Sequence, residues 1–147
     1  MYAIYHEQSH VLKSCEDIMN YIKGGRGVLT LASPSGKHHS YSFRRPRNEK
    51  AFQADTYFAY VMCDHGEWRY VGMFRDGYFR LTYNSEYKAS SEEFKGAKYI
   101  VSMASRSFET PMTLYHEGVC ACCGRRLTDP KSIKIGIGPT CFKTHFK

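Results

Sequence analysis

Cys120, Cys123 and Cys141 have the residue type and spacing best suited to chemistry in this chain of 147 residues. A Cys-x-x-Cys turn lets two thiolates converge on one ion. The third thiolate follows after a spacer of 17 residues, Gly124 to Thr140, a separation that suits a structural zinc module. Two histidines stand where a fourth donor is needed: His116, four residues before the first of these cysteines, and His145, four after the last. Cys122 lies between the two knuckle thiols and could replace a neighbour only by changing the turn, so it reads as a non-ligand. Cys15 and Cys63 sit beside Ile18-Met19 and Val61-Met62, where a cysteine serves as a small hydrophobe.

The run His116-x-Gly118-x-Cys120-x-x-Cys123-Gly124-Arg125-x-Leu127-Thr128-x-Pro130-x-Ser132-Ile133-x-x-Gly136-Ile137-Gly138-Pro139-x-Cys141 resembles the signature of a family of small, functionally uncharacterised zinc-knuckle proteins common in bacteriophages and prophages. In that family the histidine before the first cysteine recurs. The resemblance therefore implies His116, Cys120, Cys123 and Cys141 as the zinc ligands, with Cys122 a departure from the pattern. A looser likeness covers Gly27 to Leu31 through Tyr70 to Phe74, similar to the β-rich region that precedes the knuckle in those proteins. The resemblance implies metal binding and a phage origin and brings no catalytic activity with it.

Three thiolates donate much charge to a metal and suit a closed structural site, whereas catalytic zinc keeps a position open for water. The carboxylate clusters of metallonucleases are missing from the sequence, and His116-Glu117 lacks the intervening residue of a deaminase His-x-Glu motif. The chain is expected not to be an enzyme. Its formal net charge of +7 favours anionic partners, nucleic acid first among them. The densest basic run is Arg44-Arg45-Pro46-Arg47, preceded by Lys37 on the same expected hairpin, with Arg125-Arg126 beside the knuckle as a second spot. Arginine suits phosphate because its planar donors match two oxygens at once. The interleaved Tyr41 and Phe43 offer faces for base stacking, but on alternating strand positions their first expectation is the core.

These residues need elements to hold them. Val11, Leu12, Cys15, Ile18, Met19 and Ile22 follow a helical period within Ser9 to Lys23, and Gly24-Gly25 supplies a stop. Gly27 to Ala32 and His39 to Arg45 read as a hairpin across Pro34-Ser35-Gly36. After the polar loop Pro46 to Lys50 come aromatic and β-branched strands over Thr56 to Cys63 and Trp68 to Phe74. Tyr78 to Tyr83 follows the turn dipeptide Asp76-Gly77. Ser90-Ser91-Glu92-Glu93 resembles a capping box opening a second helix, Phe94 to Ser105. The expected fold is α+β, an antiparallel meander of about five strands with two helices over residues 1–110, followed by a zinc-knuckle module over 111–147.

No apolar stretch approaches the roughly 20 residues that span a bilayer, and the N-terminus lacks signal-peptide architecture. A cytoplasmic protein is expected, in the host cell if the chain is phage-encoded. These features lead to a zinc-binding accessory protein that binds nucleic acid without catalysis. A phage effector that binds a host protein, such as a defence or transcription component, is the alternative, and a zinc enzyme acting on nucleic acid comes third.

Overall fold

The computed structural model describes residues 10–45, 55–63 and 66–145. Its centre is a six-stranded antiparallel sheet in the order β5-β4-β3-β2-β1-β6. The strands are β1 (Val28–Ala32), β2 (His38–Arg44), β3 (Thr56–Met62), β4 (Trp68–Arg75), β5 (Tyr78–Arg80) and β6 (Thr113–His116). The first five form the expected meander. Asp76 and Gly77 both take positive φ, 55° and 81°, as the two-residue turn between β4 and β5 requires. The sixth strand falls in the segment expected only to lead into the knuckle. It pairs with β1, Leu31 opposite Leu114 and Leu29 opposite His116, and so draws the start of the expected second module into the main sheet.

Helix α1 (Cys15–Gly24) begins later than its apolar period suggests, because the Ser14 side chain caps it by accepting the Asp17 N–H at 3.1 Å. Val11, counted in the helical stripe, instead bridges to Tyr115 at the edge of β6. In α2 (Glu92–Ser105) the cap is Ser91, whose hydroxyl accepts the Phe94 N–H. Two short helices, α3 (Pro130–Ile135) and α4 (Pro139–His145), lie in the C-terminal segment, so the described residues hold four helices where two were expected.

Both long helices cover one face of the sheet. Period-two alternation sends Leu29, Leu31, Tyr41, Phe43, Tyr57 and Val61 to that face, where all are buried. Tyr41 and Phe43 are therefore core residues, and the Tyr41 hydroxyl donates to the Glu93 carbonyl of α2 at 2.9 Å. Helix and sheet approach closely here: a Cβ on Gly96 would stand 2.1 Å from the Tyr41 oxygen. The C-terminal segment shares this core through Cys120, Ala121, Leu127 and Ile137, and the Arg26 N–H donates to the Ala121 carbonyl at 2.8 Å. Among the described residues no helix is long and apolar enough to cross a membrane.

Candidate metal centre

After β6 the chain makes a miniature hairpin. The Cys120 N–H donates to the Arg125 carbonyl at 2.8 Å, the Leu127 N–H to the Gly118 carbonyl at 2.9 Å, and the turn closes with the Gly124 N–H on the Cys120 carbonyl. Asp129 caps α3 through the Ser132 N–H. The helix then stops at Gly136, whose φ of 77° suits glycine, and a Cβ there would meet the Tyr21 ring at 2.5 Å. That stop turns the chain back so that α4 delivers Cys141 to the hairpin. The Sγ atoms of Cys120, Cys122 and Cys141 lie within 4.8 Å of one another. Cys123 is exposed and stands outside that group of three, though its thiol is near enough to influence those of Cys120 and Cys141.

Backbone dipoles converge on Cys120. Its sulfur accepts the N–H of Cys122 at 3.4 Å and of Gly138 at 3.3 Å. Burial pushes the Cys120 thiol up, but the N–H groups of Gly138, Cys123 and Cys122 more than offset it and hold the thiol at about 7, below the ordinary cysteine value. Burial and the neighbouring Cys120 push Cys122 up to about 11, and burial followed by Cys123 and Cys120 raises Cys141. One anchored thiolate among neighbouring thiols is a soft donor set that fits a thiophilic ion.

The structure brings Cys120 and Cys141 together and adds Cys122, which the spacing had set aside. The three-residue turn over 121–123 explains the difference, because in so tight a reversal a middle side chain need not point away from its neighbours. His116 is committed elsewhere. Its Nδ1 accepts the Gly118 N–H at 2.9 Å, its Nε2 donates to the Ile133 carbonyl at 2.5 Å, and its buried ring stacks between His10 and Tyr21. Both ring nitrogens are thus occupied, and the structure does not bring His116 into the group of thiols.

Among the described residues, Lys37 does not share a patch with Arg44. Lys37 and Arg44 flank opposite ends of β2, roughly 20 Å apart at strand rise, and the Lys37 ammonium donates to the Glu92 carboxylate at 2.7 Å. Arg45 donates to the Lys23 carbonyl at 2.9 Å, Arg125 and Arg126 are exposed on the knuckle hairpin, and Arg47 falls outside the described residues. Arg44 lies over the Tyr60 ring at 4.4 Å and reaches Trp68 at 5.3 Å. The sequence reading missed this association with β3 and β4. Its signal was the alternation of Phe58 and Tyr60 against Tyr57, Ala59 and Val61, which separates two aromatic faces without saying which one is covered.

Fold and site together define a two-layer α+β protein with a thiol-rich C-terminal module. Residues 111–145 match a family of unknown function, DUF6011, which makes that module similar to an uncharacterised family. No curated protein and no solved structure matches the chain.

Proposed function

We propose that the chain is a phage-derived accessory protein that binds nucleic acid without catalysis, with its C-terminal module closed by one structural zinc ion. The convergence of Cys120, Cys122 and Cys141 from the two ends of the spacer carries the metal reading. Cys123 supplies the fourth donor, giving an all-thiolate set, and His116 acts as a buried pin between the sheet and α3. Such a set leaves no coordination position for water, which suits a structural role. The net charge of +7 and the exposed arginines support an anionic partner.

Freshly purified protein should hold about one zinc per chain, as a closed four-ligand site binds. Cys120→Ser and Cys141→Ser should abolish binding, Cys122→Ser and Cys123→Ser should each weaken it, and His116→Ala and His145→Ala should retain it. Absence of metal, or retention by Cys122→Ser together with loss in either histidine variant, overturns this ligand set. For the partner, affinity for random-sequence DNA and RNA should fall steeply as salt rises, since each phosphate contact releases counterions. If no nucleic acid binds at low salt, the reading fails and the host-protein effector takes its place.

A further inference from the structure

Resting on the nucleic-acid reading above, we propose that the second face of the sheet is a base-stacking platform for single-stranded nucleic acid. Opposite the helices, the register sets Arg44 of β2, Phe58 and Tyr60 of β3, and Trp68 and Tyr70 of β4 on one surface. All five are partly exposed, and no described helix covers them. Tyr60 and Tyr70 are direct cross-strand partners with ring centroids 5.5 Å apart, and Phe58 stands 5.9 Å from Tyr70. A groove of about 620 Å³ opens between Phe58, Tyr60, Tyr70, Met73, Tyr83 and Glu86. A contiguous, partly exposed aromatic surface of this kind, with no described helix over it, marks an interaction site.

Charge selects the occupant. Arg44 lies over Tyr60 and reaches Trp68, while Arg75 and Arg80 project to the same face from β4 and β5. Against these stand Glu86 on the groove wall and Asp76, 3.9 Å from Arg75, so the face carries cations in excess on a chain of net charge +7. An apolar peptide seated here would have to bury the Arg44 guanidinium, which donates to the Ser42 hydroxyl at 3.2 Å but has no carboxylate partner among the described residues, and such burial is costly. A single strand brings flat bases to the rings and phosphates to the arginines. Every base has a π face, so such a platform tolerates sequence variation. A duplex hides its base faces in its own stack and gains only the phosphate contacts.

Trp68 is the one tryptophan of the chain and lies on this face, so it reports occupancy directly. The experiment titrates metal-loaded full-length protein with oligothymidylate and oligouridylate of about ten nucleotides, a length on the scale of single-strand sites, and with a duplex of equal length. Quenching of Trp68 by the single strands, with affinity at least roughly tenfold above the duplex, is the expected result. Tyr60→Ala and Tyr70→Ala should each weaken single-strand binding roughly ten- to a hundredfold, the worth of one lost stacking partner. Tyr60→Phe should bind as wild type, and Arg44→Gln should weaken binding with a shallower salt slope. If Tyr60→Ala does not fold, Tyr60→Phe and Arg44→Gln carry the test.

Binding that leaves Trp68 silent and ignores these substitutions overturns the platform while the nucleic-acid reading survives. Equal affinity for duplex and single strand does the same. Failure to bind any nucleic acid overturns both, and would leave the face to a protein partner or to another segment of this chain.

Discussion

His116 joins segments 17 residues apart through one neutral ring, accepting a hydrogen bond from the Gly118 N–H and donating one to the Ile133 carbonyl. Burial, the largest effect, lowers its pKa from 6.5 to about 4, only partly countered by the bond to Ile133. The consequence for stability has a definite sign. Above pH 6.5 the ring is neutral folded or unfolded and contributes no pH dependence. As pH falls from 6.5 to about 4, the unfolded chain takes up the proton and the folded one does not, so stability drops across that window by on the order of 3 kcal/mol. His116→Gln keeps one donor and one acceptor without titrating. Urea melts from pH 7 to 4 should therefore show a shallower acid decline in this variant than in wild type, and parallel curves would refute the buried-pin role. His116→Ala at pH 7 should cost about 3 kcal/mol or more, since it leaves a cavity and strips two backbone groups of their partner.

Helix α2 is positioned by its contact with β2. In an exposed helix Gly→Ala stabilises by up to about 1 kcal/mol. At Gly96 the sign should reverse, because the added methyl would meet the Tyr41 oxygen at 2.1 Å and the ring carbon bearing it at 3.0 Å. Gly96→Ala should destabilise by about 1–3 kcal/mol, the usual cost of overpacking. Part of that cost should vanish in a Tyr41→Phe background, where the nearest clashing atom is gone. A double-mutant cycle by thermal or urea unfolding measures this coupling, and strict additivity would mean that the helix moves rather than the tyrosine. The same contact explains why the helices leave the Tyr60 face open: Tyr41 and Phe43 have taken their cover.

For the molecule as a whole, the knuckle is tied to the sheet edge rather than appended to it. β6 pairs with β1, the Leu12 N–H donates to the Leu114 carbonyl at 2.9 Å, and Cys120, Ala121, Leu127 and Ile137 belong to the common core. Chelation should therefore loosen more than the thiol-bearing segment. Amide exchange should accelerate through residues 113–145 and in β1, while β3, β4 and β5 at the far side of the sheet remain protected. Hydrogen-exchange mass spectrometry with and without chelator reads this gradient. Loosening confined to residues 117–145 would show that β6 holds without the metal.

Local order was legible in the sequence because its causes are local. The alternation in His39 to Arg45, the aromatic and β-branched enrichment of Thr56 to Cys63, the Asp76-Gly77 turn, the helical period of α2 and the Cys-x-x-Cys turn each depend on neighbours a few residues away. The Ser14 cap has a local signal as well, the Ser-x-x-Asp spacing, but the apolar period beginning at Val11 set the expected helix start earlier. Tertiary structure alone decided what depends on distant partners. The pairing of β6 with a strand some eighty residues earlier, the choice of Tyr41 rather than Tyr60 for the covered face, and the commitment of both His116 nitrogens to backbone all require the chain to be closed on itself. Cys122 joins the thiols for the same reason: spacing fixes how far a side chain can reach, while the direction in which a tight turn points it is fixed by what packs around that turn.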